Sequence, residues 1–193
     1  IREIIDARAC ALVTREDGLQ RTLDNLKTPP ALVITDSQVF KRVAKDTPAE
    51  IPLTSFSILM ARHKGNLSAA VNGIVALKHL QDNDLVLISE GCTHHRQCGD
   101  IGTVKLPAWL QEKTGKTLQF TWTSGTEFPL DLTPYQLIVH CGGCMLNERE
   151  MQYRYRCAEE QQIPMTNYGL CIAYTQGILK RALGVFPELA EKL

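Results

Sequence analysis

Two short apolar runs, each leading directly into a cluster of cysteine and histidine, constrain this chain more than any other feature. The first run, Asp84–Ser89 (DLVLIS), precedes the sequence CTH at 92–94, and the second, Gln136–Val139 (QLIV), precedes HCGGC at 140–144. Short apolar runs of this kind indicate buried strands of a parallel sheet. Because ligands bind beyond the carboxyl ends of such strands, we expect the two clusters to meet. Their thiols and imidazoles suit a soft metal or an iron–sulfur cluster.

Strand patterns and helix patterns alternate along the rest of the chain. Apolar or alternating runs bounded by turn residues predict strands, and helical spacing of apolar residues predicts helices. The predicted strands are 9–14, 31–35, 85–89, 117–123, 136–140 and 163–166, and the predicted helices are 37–45, 54–63 with Thr54 as its cap, 67–80, a late-starting helix within 101–113 because of Pro107, 147–162 and 168–183. This alternation indicates an α/β fold, with a mostly parallel sheet flanked by helices and a small N-terminal β/α segment.

The charge balance excludes several classes of function. Lys plus Arg and Asp plus Glu number 21 each, which gives no net charge and a pI near 7.1. A binder of nucleic acid or of acidic membranes carries a basic surface, so neither partner is expected. No apolar run is long enough for a transmembrane helix, and no secretory signal is visible. The chain opens on Ile1 without a methionine, and we interpret it as a fragment.

The seven cysteines do not form the pattern of a secreted disulfide framework, because their number is odd and their spacing is uneven. We therefore expect a reducing, cytoplasmic environment. Cys10, Cys157 and Cys171 lie away from the two clusters and are expected to be small buried residues. Cys98 either reaches the pocket or lies in the loop, and His95 is expected to be an ordinary loop residue.

The residue types leave three interpretations of the site open. The C-x-x-C at 141–144 is also typical of a thiol–disulfide oxidoreductase, but such a redox pair does not need a third cysteine and two histidines. A structural zinc site uses the same ligand types, although the C-x-H at 92–94 is a tighter pair than usual. The two glycines at 142–143 leave amides free to hydrogen-bond to cluster sulfides. We therefore rank an iron–sulfur cluster first, zinc second and a redox dithiol third.

Six stretches of the chain resemble the HydF family, the maturation factors of FeFe-hydrogenase. The combination Cys-x-His…His-Cys-x-x-Cys is the most specific of the shared features, and the resemblance covers nearly the whole chain. Family members carry an N-terminal GTPase domain, a middle dimerisation domain and a C-terminal iron–sulfur domain. The similar stretches are VITDSQVF (33–40), PLTSFSILMARHKGNL (52–67), CTHH (92–95), DIGTVKLPAWL (100–110), HCGGCMLNEREM (140–151) and TNYGLCIAY (166–174).

The resemblance implies a division of the chain and a set of site residues. Residues 1–50 would form part of the dimerisation domain and residues 51–193 the iron–sulfur cluster domain, with the GTPase domain absent. A 4Fe-4S cluster is the implied cofactor. Cys98 falls outside the shared motif and is not assigned as a ligand. The implied cluster ligands are Cys92, Cys141 and Cys144, and the implied fourth-site or pocket residues are His94 and His140.

The resemblance also implies a role without catalysis by this chain. Such a scaffold accepts a di-iron precursor built by radical maturation enzymes and delivers it to apo FeFe-hydrogenase, and it works as a homodimer. The predicted N-terminal strands, 9–14 and 31–35, point the same way. They are too few to close a sheet, so we expect them to leave an edge that pairs with a second copy.

Overall fold

Parallel strands and helices alternate along the computed structural model, which describes residues 2–91 and 100–193. The α/β class predicted from the sequence is confirmed. The strands are β1 (Val33–Thr35), β2 (Leu53–Ser55), β3 (Leu85–Ser89), β4 (Gln119–Thr123), β5 (Leu137–His140) and β6 (Met165–Asn167). The helices are α1 (Arg2–Asp6), α2 (Leu19–Asp24), α3 (Phe40–Asp46), α4 (Phe56–Lys64), α5 (Leu67–Ala76), α6 (Leu106–Thr114), α7 (Glu148–Glu160), α8 (Tyr168–Thr175), α9 (Leu179–Ala182) and α10 (Pro187–Ala190).

The larger sheet has the strand order β4-β3-β5-β6, and every pairing in it is parallel. Strands β3 and β5 are neighbours, with β4 on the outer side of β3 and β6 on the outer side of β5. At the carboxyl edge, Ser89 lies opposite His140, and His140 lies opposite Asn167. The loops that follow β3 and β5 therefore leave the same edge of the sheet.

Strands β3 and β5 form the centre of the core. Successive side chains in a strand point to opposite faces of the sheet. Consecutive buried residues in a strand therefore show that both faces of the sheet are covered. Helices supply this cover, and none of those in the described part of the chain is long and apolar enough to cross a membrane. The fully buried core residues of the two strands are Val86, Leu87, Ile88, Leu137, Ile138 and Val139.

A second sheet, of two strands, precedes the larger one. Strands β1 and β2 pair in parallel, with Val33 opposite Leu53, and α3 connects them. The sequence predicted a helix after Thr54 and missed β2. The residue that caps α4 is instead Ser55, whose hydroxyl accepts a hydrogen bond from the Ile58 amide at 3.4 Å. Three residues are too few to show the alternating pattern of a strand. The hydrogen bonds to the parallel strand β1 hold residues 53–55 in an extended conformation.

The predicted strand at 9–14 is wrong, because the segment has no regular structure. Val13 is 98% exposed and Leu12 is 62% exposed, so these apolar side chains find no surface within the described chain to pack against. Cys10 is also exposed, contrary to its expected burial. The expected burial is confirmed for Cys171, which is buried, and holds in part for Cys157, which is partly buried on α7.

Helix α6 starts late, at Leu106 with Pro107 in its first turn, as the sequence predicted, but a helical turn that the sequence did not predict precedes it. A π-helical turn, Ile101–Lys105, runs directly into it, and the Leu106 amide bonds to the Ile101 carbonyl five residues back. In that pattern Pro107, which has no N–H, leaves the Gly102 carbonyl without its donor. The indole of Trp122 fills this position, donating to the Gly102 carbonyl at 3.0 Å. The tertiary contact allows the helical turn to precede the proline.

The predicted closing helix, 168–183, is divided. Helix α8 ends at Thr175, and Gly177 adopts a left-handed conformation with φ of 73°. A glycine in this conformation stops a helix without steric cost. The chain then resumes as the short helices α9 and α10.

Candidate functional site

The sulfur of Cys141 lies where the two central strands end. The backbone amide of Cys141 donates to the Ser89 carbonyl at 2.9 Å, and this bond continues the β3–β5 ladder one residue past β5. Its sulfur accepts hydrogen bonds from the amides of Gly91 at 3.0 Å and Gly143 at 3.4 Å. Donors of this kind stabilise a thiolate or a metal-bound sulfur. Gly91, just after β3, therefore contacts the C-x-x-C loop after β5, and the meeting of the two clusters stays a prediction.

The first predicted cluster lies outside the described residues. Cys92 follows Gly91 directly in the sequence, and His94, His95 and Cys98 lie in the same stretch, 92–99. Among residues 2–91 and 100–193, no group of three or more His, Cys, Asp and Glu is arranged to hold a metal ion. The three-cysteine ligand set and the 4Fe-4S cofactor therefore stay predictions.

Gly143 shapes the C-x-x-C loop in two ways. Its φ of 62° is left-handed, and an added Cβ would lie 2.6 Å from the sulfur of Met151. Cys144, the next residue, is exposed. The ammonium of Lys64 holds this end of the loop by donating to the carbonyls of Cys144 at 3.2 Å and Leu146 at 2.6 Å. The loop thus presents one partly buried thiol and one exposed thiol.

His140 is fully buried, and both of its ring nitrogens are engaged. Nδ1 lies 2.8 Å from the Cys141 carbonyl, and Nε2 lies 3.0 Å from Nη1 of Arg154. A carbonyl only accepts and a guanidinium only donates, so the proton must be on Nδ1 and the lone pair on Nε2. Burial lowers the pKa of His140 to about 4. The hydrogen bond to Cys141 raises this pKa, and the charge of Arg154 lowers it further. Coordination of iron by His140 stays a prediction, and it would require one of these hydrogen bonds to break.

Arg154 is the site residue that sequence reasoning missed. Its guanidinium is fully buried and bonds to groups on β3, β5 and α7 and to the loop after β4. The helical spacing of the sequence indicates its burial, because Arg154 lies on the inward face of α7 with Met151, Tyr155 and Ala158. A charged residue on an apolar stripe marks a buried polar contact.

Glu90 and Tyr168 form a second buried polar contact at the same edge. The Tyr168 hydroxyl donates to Oε1 of Glu90 at 3.2 Å, and Glu90 is almost completely buried. Burial and the charge of Glu90 raise the pKa of Tyr168. The π-helical turn packs directly on this pair, since a Cβ on Gly102 would lie 2.5 Å from the same carboxylate oxygen.

Small residues from three segments close the site beneath the C-x-x-C loop. An added Cβ on Gly142 would contact the Ser57 hydroxyl at 3.5 Å, and one on Gly169 would lie 2.5 Å from the Ser57 Cβ. The side-chain amide of Asn167 donates through Nδ2 to the Ser57 carbonyl at 3.0 Å. Asn167 also caps α8, through its hydrogen bond with the Leu170 amide. The first turns of α4 and α8 therefore lie directly against the loop.

These features define a parallel α/β domain whose sheet edge carries a C-x-x-C loop, joined to a smaller β/α unit. Comparison with family models assigns residues 68–185 to the hydrogen maturase F tetramerization domain and residues 1–65 to the hydrogen maturase F dimerization domain. The chain belongs to the hydrogen maturase F family, which confirms the resemblance found in the sequence. No curated protein matches the chain.

Family membership gives the chain a role in hydrogenase maturation. Both domain descriptions name assembly, which supports self-association of the chain. The family models match residues on either side of a boundary between residues 65 and 68, and the division between residues 50 and 51 stays a prediction.

Proposed function

We propose that this chain is a non-catalytic scaffold for hydrogenase maturation that carries a 4Fe-4S cluster on Cys92, Cys141 and Cys144. One observation carries the proposal: the Gly91 amide donates to the Cys141 sulfur at 3.0 Å. Gly91 is bonded directly to Cys92, so this contact supports a site in which both loops contribute thiolates. Two amide donors at one cysteine sulfur are typical of protein iron–sulfur sites, where they stabilise the negative cluster.

The exposure of the loop supports a carrier rather than a closed structural site. Cys144 is exposed, while Cys141 beside it is partly buried and His140 is fully buried. A cluster bound here is anchored on the protein side and accessible from solvent on the other. Three thiolates leave one iron without a cysteine, and a scaffold needs such an exchangeable position to accept and release its cargo. His94 and His140 are proposed as residues of this pocket.

The cargo in this proposal is a di-iron precursor. Radical maturation enzymes supply it, the loaded scaffold delivers it to apo FeFe-hydrogenase, and the scaffold acts as a homodimer or larger assembly in the cytoplasm. The family's role in hydrogenase maturation and the assembly named in both domain descriptions support these partners. Nucleic acid and membrane are not among them, given the zero net charge of the chain.

Anaerobic reconstitution with iron and sulfide tests the proposal. We expect about four irons per chain and a reducible cluster with an EPR signal. Cys92→Ser, Cys141→Ser and Cys144→Ser should each lose most of the bound iron, because a cluster held by three thiolates has little redundancy. Cys10→Ser is the matched control, since Cys10 is exposed and lies outside the site.

The same experiment distinguishes the two alternative functions. A colourless protein with one zinc per chain would indicate a zinc-stabilised interaction domain. A metal-free protein whose Cys141 and Cys144 form a reversible disulfide would indicate a thiol–disulfide oxidoreductase. Full cluster occupancy in Cys144→Ser would remove the proposed ligand set.

A further inference from the structure

Arg154 carries a charge in a place where an apolar side chain would be expected. Its Nε donates to Oε1 of Glu150 at 2.8 Å, and its Nη2 donates to the Gly125 carbonyl at 2.9 Å. The guanidinium carbon lies 5.1 Å from the centre of the Phe128 ring. Burying a guanidinium is unfavourable unless its charge and N–H groups are satisfied. These contacts hold Arg154 in one position, with Nη1 directed at the end of the central strands.

The third nitrogen of the guanidinium contacts both central strands. Nη1 donates to the Ser89 hydroxyl at 3.3 Å, at the end of β3, and to Nε2 of His140 at 3.0 Å, at the end of β5. Because Nε2 accepts this bond, the imidazole proton is on Nδ1, which donates to the Cys141 carbonyl at 2.8 Å. Arg154 therefore selects the tautomer that can hold the cysteine backbone.

The contacts close into a ring around one cysteine. On the carbonyl side, Cys141 is held by His140, and His140 is held by Arg154. On the amide side, Cys141 donates to the Ser89 carbonyl at 2.9 Å, and the Ser89 hydroxyl accepts from Arg154. Both backbone polar groups of Cys141 are thus tied, through one intervening residue each, to the same guanidinium.

We propose that Arg154 and His140 form a clamp that positions Cys141 for the cluster, with His140 acting through the Cys141 backbone and not as an iron ligand. The inference rests on the proposed cluster function and specifies it further. Arg154 is a positioning residue, because it contacts the ligand residue's neighbours and not the metal. Outer contacts of this kind orient metal ligands and change metal retention by roughly tenfold or more.

Two isosteric substitutions at His140 separate the clamp from direct ligation. The amide nitrogen of Asn lies near the position of Nδ1, so His140→Asn keeps a donor for the Cys141 carbonyl. The longer Gln places its terminal group near Nε2, so His140→Gln keeps a partner for Arg154 and loses the donor to Cys141. Neither amide is a good iron ligand. The clamp predicts a difference between the two variants, and direct ligation predicts none.

The experiment measures cluster retention in the reconstituted full chain. Iron and sulfide are determined anaerobically, and the rate of iron loss to a strong chelator is followed for wild type, His140→Asn, His140→Gln, Arg154→Lys and Arg154→Met. Arg156→Lys, at an exposed position of α7, is the matched control. We expect wild-type rates for Arg156→Lys, and for His140→Asn, which keeps the donor to Cys141 but loses the contact with Arg154, a smaller increase than for His140→Gln. His140→Gln and Arg154→Met should lose iron roughly tenfold faster or more.

A second measurement keeps the inference falsifiable if Arg154→Met fails to fold. Pulsed EPR of the reduced cluster in protein labelled with ¹⁵N-histidine detects any imidazole bound to iron. We expect the nitrogen coupling pattern to be the same in wild type and in His140→Asn. A coupling that disappears in His140→Asn means that His140 binds iron, and it overturns the clamp.

The remaining outcomes separate this inference from the proposed function. Equal chelator rates for His140→Asn and His140→Gln, in proteins that hold a full cluster, overturn the clamp and leave the scaffold function standing. A wild-type chain that takes up no iron under reconstitution overturns both. A slow Asn variant and a fast Gln variant, with unchanged nitrogen coupling, support the clamp.

Discussion

The amide of Gly91 and the sulfur of Cys141, about fifty residues apart in the chain, are joined by a hydrogen bond of 3.0 Å. This contact follows from the sheet, because β3 and β5 are parallel neighbours and their carboxyl ends share one edge. The bond links the loop that leads to Cys92 with the loop that carries Cys144.

Gly143→Ala should destabilise the chain and reduce cluster retention. The left-handed backbone costs an alanine about 1–2 kcal/mol, and the added Cβ meets the Met151 sulfur at 2.6 Å. Gly115→Ala is a matched control, since Gly115 has φ of 67° and, within the described part of the chain, an added Cβ meets no atom of a non-neighbouring residue within 4 Å. Chemical denaturation should therefore give a larger loss for Gly143→Ala than for Gly115→Ala. Equal losses would mean that Met151 moves aside without cost.

Trp122→Phe should lower the free energy of unfolding by roughly 1–3 kcal/mol. The indole is the donor to the Gly102 carbonyl, whose helical partner would be the N–H that Pro107 lacks. Adding Pro107→Ala to Trp122→Phe supplies a backbone N–H at that position and should recover part of the loss. Denaturant unfolding of the two single variants and the double variant measures the coupling between them. Additive effects would contradict this account of the π-helical turn.

The cluster should have one iron that accepts external ligands. Three thiolates are proposed, and Cys98 is the additional thiol nearest to Cys92 in the sequence. Imidazole or cyanide added to the reconstituted protein should therefore change its EPR spectrum. An unchanged spectrum in wild type, together with a responsive spectrum in Cys98→Ala, would mean that Cys98 is the fourth ligand.

Leu12 and Val13 should contribute to self-association. Both are apolar and well exposed, and they lie within the region that matches the dimerization domain. Replacing both with serine should shift the protein toward smaller species in light scattering at micromolar concentration, with little change in unfolding. Arg15→Ser, in the same exposed segment, is the control. Unchanged association in the double variant would direct attention to other surfaces, such as the edge of β1.

The sequence predicted the part of the fold in which each element carries its own signal. The runs of β3 and β5 are buried on both faces, so their apolar character is continuous and needs no partner to be recognised. Helix α7 begins at Glu148, within one residue of the predicted start, and the Asn147 side chain caps it by accepting from the Glu150 amide at 2.9 Å.

The elements that the sequence missed depend on distant contacts. Strand β2 is set by its pairing with β1, and the π-helical turn before α6 depends on Trp122, which is twenty residues away from Gly102. The segment 9–14 is apolar enough for a strand but lacks a partner in the described chain. Arg154 could have been found as the one cation on an apolar stripe of α7, although its partner His140 is evident only once β5 is in place.

The all-parallel topology has a consequence for when the site can form. None of the strand pairings in residues 2–91 and 100–193 is a hairpin, so each must close a long loop before it is stabilised. Such non-local pairing is slow compared with helix formation. On the ribosome, β3 must wait for β5 to emerge before Gly91 can reach Cys141. A cluster bound as proposed would therefore be loaded late, after β3 and β5 have paired.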